Sequence, residues 1–320
     1  MEERSGNVIK EKKGLSAAWH KRLFLIAMMA IPIAHFLVFF VYINVDTIAL
    51  SFKTLDRSAS SDGSYVWVGW QNYAEIFRNM TSPYSVILKA IRNSLLLFAL
   101  NNFILLPLGI VFSYVLSKDM PGAKVFRVVF YLPSIISVVV LTMLFAFVFD
   151  STNGIINPIL KALHLESVIP EEGWLMSPNT AMKMVLLYCF IVGIGGNIPL
   201  LSGAIGRIPE ELKEAARLDG IGFWGELVNI VFPLIGTTVS TLYMFGTTVI
   251  FTIFLQPKLL TNGGPDGETY TIALYIVQSI RESGELTMGA AVGILCAVIG
   301  TPIVIGTKRV LEKIFPVYEY

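Results

Sequence analysis

Few side chains in this sequence are spaced for covalent chemistry. His20, His35 and His164 stand alone, and Cys189 and Cys296 both fall inside apolar runs, so neither a metal cluster nor a disulfide framework is expected. A nucleotide-hydrolysing chain needs a phosphate-cradling loop, G-x-x-x-x-G-K-[ST]. The nearest imitation, Gly300 to Lys308, has the wrong spacing and ends an apolar run. The distinctive spacing lies in a charged island, Ile208-Pro209-Glu210-Glu211-Leu212-Lys213-Glu214-Ala215-Ala216-Arg217-Leu218-Asp219-Gly220, which continues to Asn229-Ile230-Val231-Phe232-Pro233. Its chemistry is that of contact. Small Ala215 and Ala216 permit close approach of another surface, Glu214 can pair with a partner's cation, and Gly220 lets the backbone bend.

The island predicts helix, turn, helix. Pro209 suits a first helical turn, where its missing N–H is no loss, and the glutamates behind it favour the positive end of the helix dipole. Gly220 supplies the stop, because glycine takes the left-handed conformation that ends many helices. A second short helix is expected from Phe223 to Ile230.

The spacing resembles the EAA loop of type I ABC importer permeases: EAA, three residues, G, nine residues, I, one residue, LP. Glu214, Ala215, Ala216, Gly220, Ile230 and Pro233 fall on it, and Asp219 matches the Asp-Gly pair of the carbohydrate branch (the maltose and glycerol-phosphate type). Phe232 replaces the leucine, and Ile221 stands where that branch often has alanine. Val68-Gly69-Trp70-Gln71-Asn72-Tyr73, Asp150 with Gly154 and Asn157, and Leu260 to Pro265 are also similar to elements of that branch. The resemblance implies an all-α integral membrane fold of six transmembrane helices, with a cytoplasmic coupling helix between spans four and five. It implies that Glu214, Ala215, Ala216, Asp219, Gly220, Ile230 and Pro233 seat in a separate ATPase subunit that holds the ATP and magnesium, this chain binding no cofactor. Further implied partners are a second, different permease chain, an extracytoplasmic solute-binding protein and membrane lipid.

The composition fits those elements. Of 320 residues, 54% are hydrophobic and only 15% charged, against about a quarter charged in a soluble domain. A net charge of +1 gives no argument for nucleic acid. A helix needs roughly 20 apolar residues to cross the hydrocarbon. Spans are accordingly expected at about 23–50, 85–117, 125–149, 181–205, 232–256 and 286–307, after a basic tail at 1–22 and with the coupling loop at 207–231. Pro32 is an expected kink in span one, and Pro133 lies inside span three. Short helices are expected from Gln71 to Asn79 and from Asn157 to Leu165. Most of the 24 Lys and Arg fall in the tail, after span two, in the island and after span six. The positive-inside rule therefore places both termini and the island in the cytoplasm of a bacterial cell membrane.

A pathway is harder to read. The Gly193 to Pro199 run breaks helix regularity and removes bulk, which suits close packing or a pathway wall. Against the resemblance, the positions in register with intramembrane solute contacts are Cys189, Val192, Gly193, Gly196, Gly246, Val249, Ile250 and Ile253, with Asn197 and Thr247 beside them. Gly193, Gly196, Asn197, Gly246, Thr247 and Ile250 are the pathway-lining candidates. Most are small or apolar, so either the partner permease carries recognition or the binding protein alone selects. Asn93, Asn101 and Asn102 are expected to face other helices or a cavity, bonding between helices in preference to touching solute. The function expected is half of the translocation pathway for a sugar or oligosaccharide. The competing readings are an ABC permease for polyamine or phosphate, and a secondary transporter that needs no ATPase; the latter calls for intramembrane ionisable residues, which the spans almost lack.

Overall fold

Within hydrocarbon every backbone N–H and C=O must find an internal partner, so long apolar runs fold as helices. In the computed structural model, which describes residues 17–56, 64–82, 85–118, 120–282 and 286–315, four helices are long and apolar enough to cross a membrane: Trp19–Ser51, Val86–Ser117, Ala181–Ile205 and Leu286–Ile314. Two bent pairs, Ala123–Ile135 with Val138–Val148 and Phe223–Leu234 with Gly236–Thr252, bring the total to six when each counts as one span. The all-helical membrane fold is as expected from the sequence. Most of the tail, the serine patch near residue 60 and Asp119 lie outside the described residues.

The expected third and fifth spans are not straight. The halves of span three meet at 97°, because Ile136 and Ser137 leave the helical region (ψ 143° and 133°) and interrupt the hydrogen-bond ladder. In span five the bend is 76° at Ile235, just after Pro233. There the Phe315 ring packs so closely that a Cβ on Gly236 would lie 2.5 Å from it. Span four is broken as the glycine run predicts, with α-helix to Gly193, four turn residues, and helix again from Ile198. Gly195 is needed at that break, since a Cβ would overlap the Phe130 carbonyl of span three.

Three apolar clusters hold the bundle. At the island end, Leu106, Ile110 and Tyr114 of span two meet Leu201 and Ile205 of span four and Leu227, Val231 and Ile235 beyond the island. Toward the other end, Leu97, Phe145, Trp174, Val185, Tyr188 and Leu260 form a second core. Tyr73, Ile76, Ile87, Ala291 and Val292 form a third, where the Gln71–Met80 helix lies against spans two and six. Span one packs on span six through its C-terminal half, and its most apolar window is otherwise uncovered.

The end opposite the island carries a two-stranded antiparallel sheet, Lys53–Asp56 with Ser64–Trp67, and the helices Ile156–Ala162, Leu255–Thr261 and Ile272–Glu282. A clasp from span two secures the loop between the last two. Lys89 and Arg92 each reach Glu268 at 2.8 Å, Asn93 Nδ2 donates to the carbonyls of Glu268 and Tyr270, and the Ile272 N–H donates to Ser94 Oγ. Partial burial works to raise the Glu268 carboxyl pKa, but hydrogen bonds and charges from Lys89 and Arg92 outweigh it and hold the group below the usual carboxylate value.

Candidate functional site

The island folds as its residues predict. Helix Glu210–Leu218 begins one residue after Pro209 and ends on Gly220, whose φ of +71° is left-handed. The Ile221 N–H returns to the Ala216 carbonyl at 3.0 Å, and the Asp219 N–H to that of Ala215. These bonds satisfy carbonyls that the helix end would otherwise leave open. Ala216 turns inward at 3% exposure, while Glu214, Ala215, Asp219 and Gly220 face out and Leu218 is 89% exposed. Trp224, in the short helix that follows, is also exposed, at 64%. So large a leucine left in the open suits a surface completed by another chain.

Behind this surface lies a fixed base. The chain continues as helix Phe223–Glu226, a π-helical stretch Leu227–Val231 and the turn Phe232–Leu234, with Ile230 and Pro233 half-buried. Glu226, 3% exposed, accepts two hydrogen bonds from Lys118 at 2.6 and 2.7 Å. Tyr114 of span two donates its hydroxyl to the Phe223 carbonyl at 3.3 Å, and its ring sits 4.7 Å from the Lys118 ammonium. Burial would lower the Lys118 pKa, but hydrogen bonds and charge from Glu226 and Tyr114 prevail and raise it above the ordinary lysine value. Sequence reasoning missed Glu226. Its only signal was an acidic residue in the predicted short helix, and its partner lies 108 positions away.

The pathway candidates separate. A cavity of about 420 Å³ lies between spans two, four and five, toward the end opposite the island. Gly193 lines it, with Cys189, Val192, Val249 and Ile253. Gly196, Asn197, Gly246, Thr247 and Ile250 are not among its lining residues. Gly246 packs against the Asn102 side chain, which a Cβ there would overlap, and Asn102 Nδ2 donates to the Tyr243 carbonyl at 3.2 Å. The Thr247 hydroxyl bonds the Tyr243 carbonyl of its own helix, Ile250 faces an apolar pocket against span six, and Asn197 sits at the break in span four. The cavity's polar groups come from Asn101, Tyr188, Thr252 and Gln256. Asn101 belongs to the π-helical stretch Leu100–Leu105, while Tyr188 is 2% exposed and its hydroxyl has no hydrogen-bond partner. Tyr188 and Gln256 were missed; each is a lone hydrogen-bonding side chain in or beside an otherwise apolar run.

The fold and this exposed island define a multi-pass membrane permease component. The chain belongs to the family described as "binding-protein-dependent transport system inner membrane component", whose model matches residues 105–314. It is 27% identical over 265 residues to the probable ABC transporter permease protein YurN of Bacillus subtilis, covering 82% of this chain and 88% of that one. Identity to the diacetylchitobiose uptake system permease protein NgcF of Streptomyces coelicolor is 26% over 286 residues, 86% of this chain and 78% of the relative. A chain in the crystal structure of a bacterial alginate ABC transporter, in complex with its alginate pentasaccharide-bound periplasmic protein, superposes with a TM-score of 0.77 at 20% identity, covering 94% of this chain and 99% of that one. The protein is thus an inner membrane permease component of an ABC importer.

Proposed function

We propose that this chain forms half of a translocation pathway for a neutral sugar or oligosaccharide. It works with a second, different permease chain and takes its drive from ATPase subunits that hold ATP and magnesium. The observation that carries the coupling half of this reading is the outward-facing helix Glu210–Leu218 on its clamped base. The island's exposed residues Glu214, Ala215, Leu218, Asp219 and Gly220 combine two carboxylates with small and apolar groups. Motion of a partner seated there reaches span five directly, because the island continues into that span through the bend at Ile235. Coupling requires that the partner contact the inward and outward states unequally.

A sugar is supported by the relatives named for diacetylchitobiose and maltose uptake. Among the described residues lining the cavity none is charged, and amide and hydroxyl groups supply its hydrogen bonds. A charged uronate or polyamine would find no counter-ion there. Delivery by an extracytoplasmic binding protein is supported by the family, and the distribution of Lys and Arg supports a cytoplasmic side for both termini and the island.

The test is uptake into proteoliposomes containing the assembled transporter, its binding protein and internal ATP. A neutral oligosaccharide is expected to enter only with ATP and binding protein present, and Tyr188→Phe with Gln256→Leu is expected to slow entry. Uptake that persists without ATP removes the coupling half of the reading. Preference for a charged solute removes the sugar half.

A further inference from the structure

We propose that the cleft between the turn after span two and the island helix binds the phosphate of an acidic phospholipid. The cleft measures about 770 Å³, and Lys118, Lys124, Arg127 and Lys213 are in its wall. No carboxylate occurs among its described lining residues. Glu226 and Glu210 reach Lys118 and Lys213 from outside that lining, at 2.6 and 3.1 Å, and balance two of the four charges. Lys124 and Arg127 are exposed, and Arg127 Nη2 donates to the Leu116 carbonyl at 3.3 Å, which anchors the guanidinium beside the cleft. An arginine has five N–H donors, so others remain for a phosphate. Ser202 also lines the cleft.

The surroundings favour a lipid over a free anion. Lys124 and Arg127 lie in the first turns of span three, interleaved with Val125, Phe126, Val128 and Val129, all exposed and apolar. A phosphate seated among the cations would leave acyl chains to run along this face. Basic pockets between helices at a membrane surface recognise anionic headgroups in this way, each cation adding measurably to the attraction. Lys213 belongs to the island helix and Lys118 clamps the segment after it. A lipid held between them would tie the coupling surface to the bilayer and steady it for its partner.

The assembled transporter, stripped of lipid in detergent, is titrated with phosphatidylglycerol or phosphatidylcholine, and bound lipid is counted by native mass spectrometry. Phosphatidylglycerol is expected to be retained in preference. The paired change Lys124→Gln with Arg127→Gln should weaken it about twenty-fivefold, and each single change about fivefold. Lys124→Arg with Arg127→Lys keeps the charge and should keep the lipid, which separates loss of the site from loss of fold. Lys308→Gln with Arg309→Gln, outside the cleft, should change nothing. Equal retention of the two lipids, undiminished binding by the cleft variants, or equal loss in the outside variant overturns the proposal. Displacement of the lipid by millimolar inorganic phosphate overturns it in favour of a soluble anion.

Discussion

The clamp beneath the island makes an asymmetric prediction. Glu226 has a side chain only 4% exposed, whereas its partner Lys118 is 28% exposed. Lys118→Met would strand a carboxylate in a nearly dry site, which costs about 3 kcal/mol for an abandoned buried partner. Glu226→Gln would strand instead an ammonium that can rehydrate and that keeps the Tyr114 ring 4.7 Å away; a partly exposed cation of this kind costs about 1 kcal/mol. The double variant, Lys118→Met with Glu226→Gln, removes the stranded charge and should return to within about 1 kcal/mol of the unmodified protein. Reversible unfolding of the purified transporter in mixed micelles measures all four corners of this cycle. Hydrogen exchange at Phe223 to Val231 reports whether the loss is local. The reasoning is refuted if Lys118→Met is no worse than Glu226→Gln, or if the double variant is no better than Lys118→Met. The pH dependence follows from the same pair. Because the folded Lys118 pKa is raised, its stabilisation is complete below the unfolded value of about 10.4 and fades only as pH climbs through the higher folded value. Lys118→Met should remove that alkaline decline.

Other predictions follow from single positions. The depressed Glu268 pKa means the outer clasp is complete above the unfolded carboxylate value of about 4.3 and lost as pH falls through the folded one. Hydrogen exchange in the 262–271 loop should therefore accelerate in acid, and Glu268→Gln should reproduce this at neutral pH. Gly195→Ala should block folding or expression, since the new methyl overlaps the Phe130 carbonyl, whereas Gly203→Ala has open space and should be neutral or stabilising by up to about 1 kcal/mol, as unfolding assays would show. Gly220→Ala also meets open space, but its φ of +71° costs an L-residue about 1–2 kcal/mol, so the island helix should fray at its end by hydrogen exchange.

The sequence made the island and the apolar runs legible because both are local. Pro209, the paired glutamates and Gly220 carry their helix boundaries within a few residues, and a hydrophobic run long enough to span needs no partner to be recognised. The bends were not legible, although proline lies near both. Ile135 to Val138 is as apolar as its surroundings, and hydropathy records how greasy a stretch is, not which way its axis points. Pro133 lies in the predicted span, yet the interruption comes at Ile136 and Ser137, where the chain turns extended. Long-range pairings were also invisible. Lys118 and Glu226 each look like a solvated loop charge, as do Arg92 and Glu268, and only the fold brings each pair within 3 Å. Pathway candidates chosen by register alone divided for the same reason. Gly193 reached the cavity, but Gly246 was taken up by Asn102, because a small residue admits whichever neighbour the packing brings.

The most direct measurement of the central claim is co-purification of this chain with its ATPase, with and without Glu214→Arg and Gly220→Trp, reading bound subunit and ATP turnover. Both positions are exposed and outside the core, so the variants should assemble in the membrane while losing the ATPase and its solute-stimulated turnover. Full retention of the ATPase by both variants, with turnover unchanged, would contradict the assignment of the island as the coupling surface.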